Sequence, residues 1–288
     1  MKERVTAKVK EFYESLPFNF SALSEYDVNL IKNRNQIETY KDFHTILNAC
    51  KDGELLDIGC GIGWFANSVG YHYPLRAYGI DMCQKALLRA REISEKLKLG
   101  NKVRFINCDL FHPSFKRPFR FVNSLGVLHH TFSVKEALST ISDFVEKNGY
   151  MHIGLYHKFG REPFLNLFKK YKEKLREGEQ LNDREFNDAY GAFKELNSHI
   201  SDEVFLKSWF RDQVLHPHES QHTFKEVAEI LVDLGFIVMS TGINKYAPIT
   251  DLNQIFNYER KYLEISLEKN VKSKIYFPGF FTVFARKK

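Results

Sequence analysis

Residues 55 to 63 read Leu-Leu-Asp-Ile-Gly-Cys-Gly-Ile-Gly, an apolar run that ends in three alternating glycines, and Asp81 closes a second apolar run eighteen residues further on. Gly59, Gly61 and Gly63 let a backbone turn sharply and approach a ligand where a Cβ would collide. A carboxylate at the end of the next strand, as at Asp81, suits two acceptor bonds to a ribose diol. Glycines and acid together describe a nucleotide-type cofactor site.

Two cofactors compete for that geometry. Gly61-Ile-Gly63-Trp-Phe-Ala66 fits the dinucleotide pattern G-x-G-x-x-A, with an acid at about the expected distance behind it. Asp57, two residues before the first glycine, tips the balance. Its carboxylate can accept from an ammonium group such as that of S-adenosylmethionine, and would oppose a pyrophosphate.

Proton transfer would need a histidine or similar base near the reacting atoms, and the 11 histidines are unevenly placed. His129 and His130 follow a fourth apolar strand, and His157 follows a fifth in Gly154-Leu-Tyr-His-Lys158. His129 reads either as a proton-transfer group or as a ring packed under the cofactor, and His130 reads as structural. His157, with Tyr156, Lys158 and Arg161, stands where an acceptor would enter; the two cations would bind a carboxylate or phosphate on it or pair with surface acids. In Trp209-Phe-Arg-Asp-Gln-Val-Leu-His-Pro-His-Glu-Ser-Gln-His222, the residues His216, His218, Glu219 and His222 invite a metal reading. Pro217 interrupts the helix that regular ligand spacing would use, so no metal is expected. A polar segment presenting His218, Arg211 or Asp212 to a substrate is the favoured reading, and plain loop structure is its rival.

The elements that must position these residues alternate as a doubly wound, mostly parallel α/β sheet requires. Strands are expected at 55–58, 76–81, 102–106, 119–125, 149–156, 236–241 and 280–285. Helices are expected at 64–71, 84–97, 134–145 and 227–234, the last behind the capping-box spacing Thr223-Phe-Lys-Glu226. Phe164, Leu167, Phe168, Tyr171 and Leu175 line one face of a further helix under a cluster of lysines. Residues 51–157 and 223–288 would form the core. Residues 1–50 would be an N-terminal helical cap, and 158–222 an inserted helical lid, both over the carboxyl edge of the sheet where ligands bind.

Four segments in this order resemble the class I S-adenosylmethionine-dependent methyltransferases: Leu55 to Gly63, Gly79-Ile-Asp81, Asn107-Cys-Asp109-Leu110 and Ser124-Leu-Gly-Val-Leu-His-His-Thr131. The resemblance implies a seven-stranded sheet with a C-terminal antiparallel hairpin, a feature that dinucleotide-binding folds lack. It implies that Gly59, Gly61 and Gly63 pass the methionine part beside Asp57. Asp81 and Met82 would hold the ribose, Asp109 and Leu110 would lie on the adenine side, and Ser124 and Leu125 would lie at the end of the fourth strand. Tyr13 would close over the cofactor, or Phe12 and Tyr13 would simply dock the first helix. Arg120 departs from the Asp that many relatives carry, at a position that usually serves structure. The fourth-strand segment is most like that of small-molecule members.

With 43% hydrophobic and 27% charged residues in 288, the chain has the composition of a globular enzyme with a sizeable core. No apolar stretch has the length of a signal peptide or a membrane span, so a cytoplasmic protein is expected. Cys50, Cys60, Cys83 and Cys108 show no metal-ligand pairing and read as reduced thiols. The net charge of +6 is spread without a long basic run, which leaves nucleic acid a rival partner and nothing more. The reading is therefore a methyltransferase that uses S-adenosylmethionine, releases S-adenosylhomocysteine, and acts on oxygen or nitrogen of a small polar or anionic acceptor. Its rivals are an RNA base methyltransferase, a dinucleotide-dependent oxidoreductase and a non-catalytic cofactor-binding module.

Overall fold

Neighbouring residues of the central strands enter opposite apolar layers, so the sheet is buried on both faces as parallel sheets are. The computed structural model describes residues 2–113 and 117–288. Three helices come first: α1 (Lys2–Ser15), α2 (Ser24–Asn33) and α3 (Lys41–Ala49). The alternating part follows as β1 (Glu54–Ile58), α4 (Trp64–His72), β2 (Arg76–Asp81), α5 (Gln84–Lys96), β3 (Val103–Asn107), β4 (Phe119–Leu125), α6 (Val134–Ser142) and β5 (Val145–Tyr156). Next come α7 (Lys158–Leu167), α8 (Lys169–Arg176), α9 (Asp183–Leu196) and α10 (Glu203–Phe210). The chain ends with α11 (Phe224–Asp233), β6 (Phe236–Thr241), α12 (Leu252–Tyr258), α13 (Lys261–Ser266) and β7 (Phe280–Lys287).

The seven strands lie in the order β3-β2-β1-β4-β5-β7-β6, parallel except for β7, which runs antiparallel to β5 and β6. The doubly wound α/β reading holds. Winding reverses between β1 and β4, and a crevice opens at that point beyond the carboxyl ends of the strands. Gly59 to Gly63 follow β1, Asp81 is the last residue of β2, and Gly126 follows β4.

Leu55 pairs with Phe121 and Leu56 with Val122. Leu55 and Phe121 face the layer containing Phe65 and Val69 of α4 and Leu87 and Ile93 of α5. Leu56 and Val122 face Leu138 and Ile141 of α6 and Val227 and Leu231 of α11. The stretch from α7 to α10 has an apolar cluster of its own, built on Phe164, Phe168, Phe193, Leu206 and Phe210. Its ends are pinched together where Lys158 N–H donates to His222 O at 2.9 Å and His222 N–H donates to Tyr156 O at 2.9 Å.

Three details differ from the sequence reading. The last two strands are neighbours but not a simple hairpin, since α12, α13 and a π-helical turn at Leu267–Lys272 lie between them. The face from Phe164 to Leu175 is split, because Phe168 leaves helical geometry at φ −110°, ψ 12° and α8 begins afresh. The helix from Val134 stops at Ser142, and Val145 already belongs to β5, whose pairing with β4 shifts register between Phe119 and Phe121. Among the described residues no helix is long and apolar enough to cross a membrane.

Candidate active site

The glycine loop is fastened to the acid that the sequence paired with it. Asp81 Oδ2 accepts from Gly61 N–H and Oδ1 from Cys83 N–H, each at 2.8 Å, and burial raises its pKa. Gly61 has φ +52°, and a Cβ built there would meet nothing within 4 Å, so its bare backbone borders open space. Gly63, at φ +75°, starts α4 behind the loop, where a Cβ would come within 2.7 Å of Ala90 Cβ. Gly63 therefore sets the helix against the sheet and does not line the cavity. Gly59, Gly61, Asp81, Met82, Asp109 and Leu110 do line it.

Asp57 lies under the loop with its Oδ1 accepting from Asn123 Nδ2 at 2.8 Å, while its Oδ2 is buried without a partner. Burial raises its pKa to about 7. His152 Nδ1 donates to Asn123 Oδ1 at 2.8 Å, which completes a buried relay from β5 through β4 to β1. Neither Asn123 nor His152 was foreseen, since each is a lone polar residue in an apolar strand and only the register joins them. Ser124 is buried and donates to Ile58 O at 3.2 Å; it ties β4 to β1, and Leu125 is the one that reaches the cavity wall.

Helix α1 roofs the cavity with Thr6, Val9 and Tyr13. It is pinned at several points. Glu14 Oε1 accepts from Gln84 N–H at the start of α5 at 2.7 Å, and Arg211 Nη2 donates to Ser15 Oγ at 2.5 Å. The Tyr13 hydroxyl donates to Asp212 Oδ1 at 2.6 Å, and burial, then Asp212, pushes its pKa well up. Asp212 is turned inward by a π-helical turn over Arg211–Leu215, a kind of irregularity frequent at functional sites.

The histidines fall differently from the sequence reading. His157 is fully buried away from the cavity: its Nε2–H donates to Glu259 Oε2 at 2.9 Å and its Nδ1 accepts from Gly160 N–H at 3.2 Å, so no lone pair remains for a substrate. His129 is buried against Tyr156, its ring centroid 4.0 Å away, and burial lowers its pKa well below the usual range. His218 holds two backbone points, its Nε2–H donating to Thr131 O and its carbonyl accepting from His130 Nδ1–H, each at 2.9 Å. His130 is the histidine in the cavity wall, and its Nε2 has no partner. The two neighbouring rings part company in a single turn of 3₁₀ helix over Leu128–His130, which no sequence pattern announces.

The group weighed for a metal does not converge. Glu219 is taken up by Arg161, His218 by Thr131, and His222 by Ser220. His130, Asp212 and His216 do come within 4.8 Å of one another. However, His218 N–H donates to His216 Nδ1 at 3.1 Å, so the neutral His216 ring carries its proton on Nε2 and offers no free lone pair. Arg161 is not a substrate clamp either: it is buried in a bidentate pair with Glu219 at 2.9 and 3.0 Å and a bond to Gln213 O at 3.0 Å.

Residues 55–149 match the family model for a methyltransferase domain. Among curated proteins, an uncharacterized protein of Synechococcus sp. is 23% identical over 181 residues, 57% of this chain and 42% of its own length, so the chain spans less than half of that relative. Among solved structures, magnesium protoporphyrin IX methyltransferase from Synechocystis with bound S-adenosylhomocysteine aligns at TM-score 0.52 and 14% identity over 100% of this chain and 95% of that one. An S-adenosylmethionine-dependent methyltransferase from Mesorhizobium loti aligns at 0.52 and 17% over 89% and 100%. A Rickettsia typhi protein, PKMT2, in complex with AdoHcy aligns at 0.56 and 14% over 81% and 48%. At these identities the structural likeness establishes the fold.

Proposed function

We propose that this chain, whose residues 55–149 match a methyltransferase domain, transfers a methyl group from S-adenosylmethionine to an oxygen or nitrogen atom of a small molecule. The observation that carries the reading is the cradle at Gly61, a left-handed glycine whose missing Cβ leaves the backbone bare toward the cavity and whose N–H is tied to Asp81. The orphaned Asp57 Oδ2 supports it, since a buried carboxylate with an empty lone pair suits an ammonium group. In this reading Asp57, Gly59 and Gly61 hold the methionine end and Asp81 and Met82 the ribose. Asp109 and Leu110 hold the adenine, while Leu125 and Tyr13 close the site.

When bound, S-adenosylmethionine supplies a methyl group already activated by a sulfonium. The protein has then mainly to aim the acceptor and keep water out. Val9, Phe18 and Phe111 give the cavity an apolar wall, and among its described lining residues there is no Lys or Arg. An anionic acceptor would find no counter-charge among those residues, so of the polar or anionic acceptors expected from sequence a neutral one fits better.

Thermal stabilisation by S-adenosylhomocysteine and not by NAD tests the cofactor, because a ligand of the native state stabilises by mass action. Methyl-labelled S-adenosylmethionine with a fractionated cell extract tests the acceptor. Label in a small neutral molecule is the expected result, and label confined to RNA would overturn it.

A further inference from the structure

Resting on the methyl-transfer reading, we propose that His130 Nε2 is the base that takes the acceptor's proton, and that the acceptor is a neutral, largely apolar molecule bearing a hydroxyl group.

Among the described residues of the cavity wall His130 is the one histidine, and its ring is set for this task. Nδ1–H donates to His218 O at 2.9 Å, which fixes the tautomer and leaves a lone pair on Nε2. Nε2 is buried and unpartnered, a condition that calls for an explanation. Its nearest carboxylate oxygen, Asp212 Oδ1, lies 4.0 Å away and is held by the Tyr13 hydroxyl. Asp212 is thus placed to stabilise the imidazolium after transfer without occupying the lone pair beforehand. His218, clamped between Thr131 and His130, is a positioning residue.

Among the described residues, the rings and charges near the His130 ring come from several elements of the chain. His129 adjoins it on its own turn, and Tyr13 of α1, Tyr156 of β5 and His216, whose ring centroid is 3.7 Å away, pack against it. Asp212, Glu219 and Arg161 supply the nearby charges. Burial prevails over them and lowers the pKa of His130, so the ring is neutral and able to accept at neutral pH.

The step balances. The acceptor oxygen forms its bond to the methyl carbon as the carbon–sulfur bond breaks, the electron pair stays on sulfur, and the hydroxyl proton passes to His130 Nε2. A neutral aliphatic or phenolic hydroxyl needs that help, whereas a carboxylate, already ionised, does not. The apolar wall of Val9, Phe18 and Phe111 and the absence of Lys and Arg among the described wall residues match the neutral acceptor.

The test incubates the full chain with methyl-labelled S-adenosylmethionine and, separately, 2-naphthol, 4-nitrophenol and 4-hydroxybenzoate, for the wild type, His130→Gln and His130→Asn. Melting temperature and S-adenosylhomocysteine affinity are measured alongside. The expected result is label on 2-naphthol in preference to 4-hydroxybenzoate, and a loss in kcat of about 10²-fold or more in both variants with cofactor affinity within about twofold. The loss should be smaller for the more acidic 4-nitrophenol, and the variants' rate on 2-naphthol should climb with pH as the free hydroxyl ionises. A loss equal for both phenols and independent of pH would make His130 merely structural and overturn the proposal. So would preference for 4-hydroxybenzoate, or no label on any phenol by a protein that binds S-adenosylhomocysteine. Activity lost on chelation and restored by zinc would assign His130 to a metal instead. Failure to bind S-adenosylhomocysteine would overturn the methyl-transfer reading itself.

Discussion

The Tyr13 hydroxyl donates to Asp212 Oδ1 at 2.6 Å, joining two residues 199 positions apart. One belongs to the first helix and the other to the π-helical turn that follows α10, so this bond fastens the roof of the cavity to that turn. A carboxylate acceptor makes such a bond stronger than a neutral pair.

Tyr13→Phe removes it and leaves the ring packing in place. The loss of about 1.5–3 kcal/mol typical of a hydrogen bond to a charged group should appear as roughly 10-fold or faster amide exchange in residues 2–15. The strands of the core should be unaffected. Unchanged exchange in α1 would mean that Glu14 and Arg211 hold the helix without Tyr13.

Asp81→Ala removes two backbone anchors along with the proposed ribose contact. Calorimetry should show S-adenosylhomocysteine affinity falling by about 100-fold, in line with one or two charged hydrogen bonds. Asp81→Asn, which keeps one acceptor oxygen for Gly61 or Cys83, should lose less. Full affinity in the alanine variant would remove Asp81 from the cofactor site.

What was legible in the sequence was what is local. An apolar run, alternating glycines and an acid one strand later are read along the chain, and β1, the loop and Asp81 follow them. His157 was misassigned because its partner, Glu259, sits 102 residues away in the helical insertion before β7, and that insertion left no mark strong enough to find. Short helices such as α12 and α13 carry too few apolar repeats to stand out. His130 was passed over for His129 because one residue of rotation in a 3₁₀ turn decides which ring faces the cavity. Asp212 was recognised as a polar residue of a returning segment, but its pairing with Tyr13 depends on tertiary packing.

Asp57 makes stability depend on pH in a calculable direction. Burial lifts its carboxyl to about 7, against about 3.9 in an unfolded chain. Below pH 4 both states hold the proton and nothing is lost. As pH rises from 4 to 7 the unfolded chain releases a proton that the folded one keeps, so stability falls across that window and levels off above it. The whole effect amounts to roughly 4 kcal/mol. Asp57→Asn should flatten this slope in denaturant melts and stabilise the ligand-free protein at pH 8. Under the proposed ammonium contact, S-adenosylhomocysteine should stabilise the wild type more than the variant. A wild-type slope that persists in Asp57→Asn would place the titration elsewhere.

The Arg161–Glu219 pair gives the opposite slope. Burial would raise the Glu219 carboxyl, but Arg161 and then Lys172 override it and hold it far below the usual carboxylate range. A depressed acid contributes stability above its unfolded pKa, about 4.3, and loses that contribution as pH falls through the folded value. Arg161→Met leaves the Glu219 carboxylate buried with Lys172 Nζ, 3.7 Å away, and a hydrogen bond from Gln221 Nε2 at 2.8 Å to offset its charge. The expected cost is about 3–5 kcal/mol, centred on the stretch from α7 to α10 and read by urea melts. Adding Glu219→Gln to Arg161→Met removes the stranded charge and should restore much of the loss. Recovery in the double variant would show that the penalty came from an unpaired charge, and its absence would show that the hydrogen bonds to Gln213 and the stacking of Arg161 on Tyr156 at 3.9 Å matter more.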